Sequence, residues 1–248
     1  MTRPLWKQQE VALREAELLR VARKLLLEHG LQELTMDRLA AATPYSKGTI
    51  YHHFTSREDV LAALCIEISE LRLRTFERAA LFKGRSRERA VAVQKGHSIV
   101  FRLHRDLWQA EELITQSRFQ SKLSPERRAA FDSVEERKFG VYHGIIRDGI
   151  ASGDLVPPDN LTSQQILIGL MAMSRGLYHI WGSDSLLRAG IDDPSDLHVK
   201  LMGAVYDGLG WRPFSDDWDY DDTVRRVWTE IFPEEHARIL AGGIARAV

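Results

Sequence analysis

Apolar residues recur every three or four positions along almost the whole chain, and no stretch alternates apolar and polar residues as a half-buried strand would. The pattern predicts an all-α protein. Leu18, Leu19, Ala22, Leu25 and Leu26 form the buried stripe of a first helix from Gln9 to Glu28. His29-Gly30 closes it, since glycine tolerates the left-handed conformation that ends a helix. Thr35 caps a short second helix, Met36 to Ala42, and Ser46 caps a third, Lys47 to Phe54. Ser56 opens a long fourth, with Glu58 and Asp59 in the first turn, where the helix dipole favours negative charge. After Lys83-Gly84-Arg85 the pattern restarts, with helices expected from Ser86 to His104 and from Asp106 to Ser121. Ser124-Pro125-Glu126 starts another, ended by Gly153. Two more run from Thr162 to Gly182 and from Pro194 to Leu209, and the tail beyond Pro213 adds about two.

Composition narrows the class. The 44% hydrophobic and 28% charged content places the 248 residues among globular chains rather than disordered ones. The net charge of −1 is unevenly spread: Met1–Arg57 holds nine Lys/Arg against six Asp/Glu, and Pro213–Val248 four against eight. An anionic partner is therefore expected at the basic N-terminal end. Cys65 is the only cysteine, which excludes an intrachain disulfide and a cysteine-based zinc site. No apolar run reaches the roughly 18 residues of a membrane span, and Met1–Glu10 does not read as a signal peptide. The expected location is cytoplasmic, at the nucleoid, with no membrane partner.

Two short helices joined by a tight turn, the second small and polar, suggest a DNA-reading helix-turn-helix. The run Thr35…Leu39-Ala40…Ser46-Lys47-Gly48-Thr49-Ile50-Tyr51-His52-His53-Phe54…Ser56-Arg57-Glu58, with the upstream Leu18-Leu19…Ala22…Leu25…Gly30, resembles the tetracycline-repressor (TetR/AcrR-like) family of transcriptional regulators over roughly residues 10–62. The resemblance implies an N-terminal three-helix DNA-binding domain (1–57), a larger helical-bundle domain for ligand binding and dimerisation (58–212), and here an acidic helical extension (213–248). It also implies that Thr35, Ser46, Lys47, Gly48, Thr49, Tyr51, His52, His53 and Arg57 face DNA. Gly48 keeps the leading face thin enough to enter the major groove. Lys47 and Thr49 reach bases or phosphates, Tyr51 and His52 follow on the groove side, and Thr35, His53 and Arg57 clamp the backbone. Ile50 and Phe54 face the small core with Leu39. Adjacent helical residues point about 100° apart, so His52 and His53 are not expected to share a metal.

The turn departs from the family pattern of a small residue, a glycine and an aliphatic, having Thr43-Pro44-Tyr45 instead. Proline holds φ near −65° and pushes its predecessor out of the helical region. The turn is therefore expected to lack positive φ at Pro44, and the second helix to stop by Ala42.

In the larger domain, the helix from Thr162 to Gly182 is apolar on two faces and so is expected to be buried on both. One face is a core stripe; the other, Ile166, Gly169, Met173, Gly176 and Ile180, is expected to join Leu201, Val205 and Leu209 of the following helix in a four-helix homodimer interface, as the resemblance implies. The alternative is two core helices of a monomer. Ligand candidates inside the bundle are Trp108, Ile114, Phe119, Phe131, Phe139, Tyr142, His143, Met171, Met173, Tyr178 and His179, a mixture suited to a mostly apolar small molecule.

Other chemistries fit poorly. Asp217, Asp219 and Asp221 resemble the start of a calcium loop, but Asp222 stands where the loop needs Gly and Trp228 where it needs Glu. No glutamate has a histidine three residues on, as a di-iron bundle requires, and no phosphate loop or nucleophile elbow is present. No metal, cofactor or catalysis is expected. The chain reads as a ligand-responsive regulator: a dimeric repressor of a palindromic double-stranded DNA operator, released by a small-molecule effector acting through the fourth helix. The alternative is an interaction protein that kept the repressor fold without sequence-specific DNA reading.

Overall fold

The computed structural model describes residues 5–105, 108, 123–181, 185–191 and 197–241. Among these the protein is helical, with one isolated bridge pairing Leu155 and Trp211. Helix α1 (Leu5–His29) begins a turn earlier than expected and ends at Gly30, whose φ of 79° is the left-handed conformation its sequence position predicts. A 3₁₀ turn (Leu31–Glu33) leads to α2 (Met36–Ala41), α3 (Lys47–His53) and the long α4 (Arg57–Ala80). Then come α5 (Ser86–Leu103) and α6 (Pro125–Ser152), which ends at Gly153 with φ 77°. The helix expected at 106–121 falls outside the described residues apart from Trp108.

Helix α7 (Ser163–Trp181) opens with a reciprocal cap: Thr162 N donates to Gln165 Oε1 at 2.8 Å and Gln165 N to Thr162 Oγ1 at 3.2 Å. The one-turn α8 (Ser185–Arg188), absent from the sequence reading, precedes α9 (Leu197–Gly208). The tail forms α10 (Tyr220–Arg226), capped by Asp219, a π turn (Val227–Ile231) and α11 (Pro233–Ala241), with proline in its first turn.

The chain divides into two compact units, Met1–Leu71 with His104–Glu135, and Arg72–Leu103 with Glu136–Val248. This differs from the expected 1–57, 58–212 and 213–248. The first unit recruits the start of α6, and both α4 and α6 are continuous helices with residues in each unit. The first unit's core is largely apolar: Leu18, Ala22, Leu34, Leu39, Ile50, Phe54, Leu61 and Leu64 are fully buried, with Asp59 and Ser69 buried beside them.

The second unit packs Phe82, Val93, Ile145, Ile146, Leu170, Met202, Tyr206 and Trp211 together with Val227 and Phe232 of the tail. The acidic extension is thus part of that core rather than an appendage. Arg87, fully buried, fastens it. Its Nη1 donates to Asp207 Oδ1 (2.6 Å), Trp211 O (2.7 Å) and Pro213 O (2.7 Å), and its Nη2 to Gly203 O (3.2 Å) and Ser215 Oγ (2.8 Å). Tyr206 and Tyr220 pack their rings on the guanidinium. None of the described helices is long and apolar enough to cross a membrane.

Candidate nucleic-acid interface

The interface is built by capping and by the helical period. Thr35 Oγ1 accepts from Arg38 N at 3.2 Å and starts α2; Ser46 Oγ accepts from Thr49 N at 3.1 Å and starts α3. Between them α2 stops at Ala41, with Ala42 as its cap. Thr43 turns back onto the helix, donating from N to Ala40 O (3.4 Å) and from Oγ1 to Leu39 O (3.1 Å). No described non-glycine residue has positive φ, so Pro44 sits in a turn of the kind its ring demands. Tyr45 is half-buried with the Arg14 guanidinium 5.6 Å from its ring centre, which seats the larger plug on α1.

Helix α3 buries Ile50, with Phe54 buried just past its end, and turns Lys47, Gly48, Tyr51 and His52 to solvent. Tyr51 is 50% exposed, and the space above Gly48 holds only Ser46 Oγ, 3.8 Å from where a Cβ would stand. Lys47 Nζ lies 2.7 Å from Asp37 of α2, a contact that raises the lysine pKa. Both groups are exposed, and such a pair is weak enough for Lys47 to be released to a phosphate at little cost. Thr49 is partly covered by its contact with Ser46 Oγ at 2.9 Å.

Two expected backbone clamps are corrected. The His53 side chain is only 2% exposed and points inward, with Nδ1 3.6 Å from Glu15 of α1. It lies three residues from Ile50 and so shares the core-facing side of α3. Burial lowers its pKa, against the opposing pull of Glu15. Arg57 turns one guanidinium nitrogen to the fold: Nη2 donates to Leu31 O at 2.6 Å, tying the start of α4 to the 3₁₀ turn. The exposed candidate set is therefore Thr35, Ser46, Lys47, Gly48, Tyr51 and His52, with Thr49 at its edge.

A second set of residues, which sequence reasoning missed, supports α3 from behind. Arg127, in the first turn of α6, donates from Nη2 to Glu15 Oε1, and its guanidinium lies 5.3 Å from the Phe54 ring centre. Asp59, buried, accepts from Thr55 N (3.2 Å) and Ser124 N (3.3 Å). Apart from Thr55, their partners are more than sixty residues away in sequence, so no local pattern signals them.

In the second unit the ligand candidates separate. Tyr142 is buried, its hydroxyl 2.7 Å from that of Tyr206, and burial pushes its pKa up to about 12. His143 contacts Ser163 Oγ at 3.0 Å; Phe139 and Met171 are half-buried against the core. Tyr178 is buried between the rings of His97 and His198, centroids 4.8 and 4.7 Å away. Trp108 and Phe131 are buried in the first unit, while Ile114 and Phe119 lie outside the described residues. Met173 and His179 are corrected: both are exposed, on the side of α7 away from Leu170, Ser174 and Tyr178. The missed feature is a buried polar cluster in which Ser174 Oγ lies 3.2 Å from His198 Nε2 and 3.4 Å from His97 Nδ1. Burial lowers the His198 pKa to about 4 and that of His97 well below its usual value.

The expected dimer residues also divide. Gly169, Met173, Gly176, Ile180 and Leu201 are exposed, as is Ile168. Val205 and Leu209 are half-buried against the core. Ile166 is corrected: it is 2% exposed, one residue from Leu167 and four from Leu170, on the stripe that packs inward.

A capped helix-turn-helix with a solvent-facing second helix, followed by a helical body, defines the architecture of a helix-turn-helix regulator. Residues 18–64 match the model of the bacterial regulatory proteins of the tetR family. The chain is similar to the HTH-type transcriptional repressor AcnR of Corynebacterium diphtheriae, 36% identical over 64 residues, which is 26% of this chain and 34% of AcnR. It also resembles an uncharacterized HTH-type transcriptional regulator of Mycobacterium tuberculosis, 44% identical over 54 residues, 22% of this chain and 27% of that one. The match thus spans about a third or less of these relatives' length.

Among solved structures, a tetR-family regulatory protein from Rhodococcus RHA1 superposes with a TM-score of 0.60 at 17% identity, covering 79% of this chain and 97% of that one. FadR from Bacillus subtilis in complex with stearoyl-CoA gives 0.57 at 19%, covering 78% and 96%. At such identities the likeness is one of fold.

Proposed function

We propose that this protein is a ligand-responsive transcriptional regulator, a repressor that binds a palindromic operator as a homodimer and is released by a small molecule. The observation that carries the reading is α3: a helix capped by Ser46, anchored by Ile50 and Phe54, that holds Lys47, Gly48, Tyr51 and His52 outward with no Cβ at its leading edge. A helix of that form enters a major groove, with Tyr51 and His52 at base edges and Lys47, Ser46 and Thr35 at phosphates. The names of the sequence relatives support the same role.

A second copy supports two-fold reading of a palindrome. The exposed apolar strip of Ile168, Met173, Ile180 and Leu201 suits it, since Gly169 and Gly176 have open space above them for close helix approach. The effector is mostly apolar, bound among Phe139, Tyr142, Met171 and Tyr178, with the Ser174–His198 cluster offering hydrogen bonds. It acts by favouring the form with weak DNA affinity. The regular Thr43–Tyr45 turn leaves the rival reading, a fold that has lost DNA recognition, without support from Pro44.

Selection of bound duplexes from a random DNA pool tests the proposal. Recovery of a palindrome, bound by a dimer in solution, is expected. Salt-sensitive but sequence-blind binding, or none, would overturn it.

A further inference from the structure

Within the second unit, α9 and the tail segment 215–221 line a cleft of about 400 Å³. Arg87, fully buried, lies at its floor. The two terminal nitrogens of its guanidinium are occupied, but Nε has no acceptor among the described residues. In a planar guanidinium Nε–H runs parallel to one N–H of Nη2. Both acceptors of Nη2, Gly203 O and Ser215 Oγ, belong to residues that line the cleft, so Nε–H is turned to the same side. A Cβ on Gly203 would stand 3.3 Å from Ser215 Oγ and 4.0 Å from Arg87 Nη2, so glycine keeps the approach to the guanidinium open.

Above the floor the charges divide between the walls. Lys200 stands on α9, and Asp219 and Asp221 stand on the tail opposite. Lys200 and Asp221 are exposed, and neither has an ion-pair partner among the described residues. Asp219 commits Oδ1 to Asp222 N at 2.8 Å, which leaves Oδ2. Beside the two carboxylates the Trp218 ring is 39% exposed, held by its Nε1 donating to Thr223 Oγ1 at 3.2 Å. Asp207 already neutralises Arg87, at 2.6 Å. The cleft therefore lacks an acceptor at its floor, an anion beside Lys200 and a cation between the aspartates and the tryptophan. No described group of three or more carboxylate, imidazole or thiol side chains is placed to hold a metal in that last position.

We propose that this cleft binds a basic α-amino acid, with arginine the best fit. The ligand's carboxylate takes Arg87 Nε–H and the Lys200 ammonium. Its guanidinium lies on the Trp218 ring and donates to Asp219 and Asp221. A planar guanidinium does both at once, stacking on a ring and bonding carboxylates at its edge, where an ammonium is a point charge. An unmet buried N–H gains most from a charged acceptor, which gives the carboxylate end its selectivity. The volume is within the roughly 300–1,000 Å³ of small-molecule pockets. The site shares no residue with the apolar one proposed among Phe139, Tyr142, Met171 and Tyr178, and it does not rest on DNA reading.

Calorimetric titration of the full chain with L-arginine tests it. One arginine per chain is expected. L-citrulline, whose ureido group is neutral, and agmatine, which has no carboxylate, should each bind about tenfold more weakly, the scale of one lost charged contact. Lys200→Met should weaken L-arginine about fivefold to tenfold and leave agmatine unchanged, while Asp221→Asn should weaken both and leave L-citrulline unchanged. Gly203→Ala, which sets a methyl before the Arg87 guanidinium, should weaken L-arginine and spare agmatine. Lys200 and Asp221 are exposed, so their variants keep the parent's melting temperature. No saturable heat up to about 10 mM L-arginine, equal affinity for the three compounds, or unchanged L-arginine affinity in either exposed variant would overturn the proposal.

Discussion

The reading head and the bundle bury different kinds of residue. From Leu18 to Phe54 the buried residues are all apolar, with only the side chain of His53 turned inward among them. The second unit buries Arg87, His198, Ser174, Thr223 and the Tyr142–Tyr206 pair alongside its apolar core. An apolar core has no partners to satisfy, so the head can leave its polar side chains on the surface, where they are free to contact DNA. A core with buried polar groups must satisfy each of them or lose stability.

The largest expected effect falls on the bundle's most demanding group. Arg87→Met removes the donors serving Trp211 O, Pro213 O and Gly203 O and leaves Asp207 without its cation. The expected loss is about 3–5 kcal/mol, the range for breaking one side of a buried charged network. Chemical denaturation followed by tryptophan emission measures it, since Trp211 and Trp218 lie beside the site. If the bundle stays intact with a loss under about 1 kcal/mol, the contrast between the units is not energetic.

Acid should separate the units next. The pKa of His198 is lowered by burial to about 4, and His97 is shifted the same way. The unfolded histidine, near 6.5, binds protons that the folded one refuses, so stability is constant above that value and falls as pH drops toward 4. His198 alone should cost about 1.5 kcal/mol between pH 6.5 and 5. Melting temperature against pH checks the slope, and His198→Asn should flatten it.

Tyr51→Ala acts on the other side of the comparison. Tyr51 is half-exposed on α3, on the side proposed to face the groove. Operator affinity should fall by on the order of 1–2 kcal/mol with folding stability unchanged, read by DNA titration and a melt of the same sample. Equal losses in both would place Tyr51 in the fold.

Legibility followed the same divide. In the head, a helical period of five apolar positions, caps at Thr35 and Ser46 and a chain stop at Gly30 are local signals, and each appears where the sequence placed it. The Pro44 turn was equally local, because proline restricts φ whatever surrounds it. His53 and Arg57 turn toward the fold for a reason only packing reveals: the motif marks the residue type, while Glu15 and Leu31 O decide where the side chain goes. In the bundle nearly every defining contact is long-range. Nothing near Arg87 in sequence announces Asp207 or Trp211, and nothing near Ser174 announces His97. Ile166 shows how a helix apolar on two faces defeats period alone, since both stripes look buried until a partner is placed.

Gly48→Ala gives the smallest energetic effect and the sharpest separation of fold from function. The position is exposed, inside α3, and a methyl there would meet only Ser46 Oγ at 3.8 Å, an ordinary contact. Alanine is the better helix former, so the free protein should gain between about 0.5 and 1 kcal/mol. If Gly48 is where the backbone of the reading helix comes nearest the duplex, that methyl occupies space the DNA needs, and operator affinity should drop while the melting temperature rises. The opposite signs matter more than either size, since no defect in folding can produce them together. A variant that is more stable and binds DNA as well as its parent would mean that α3 approaches the groove by another face, and that Lys47, Tyr51 and His52 are exposed for some other partner.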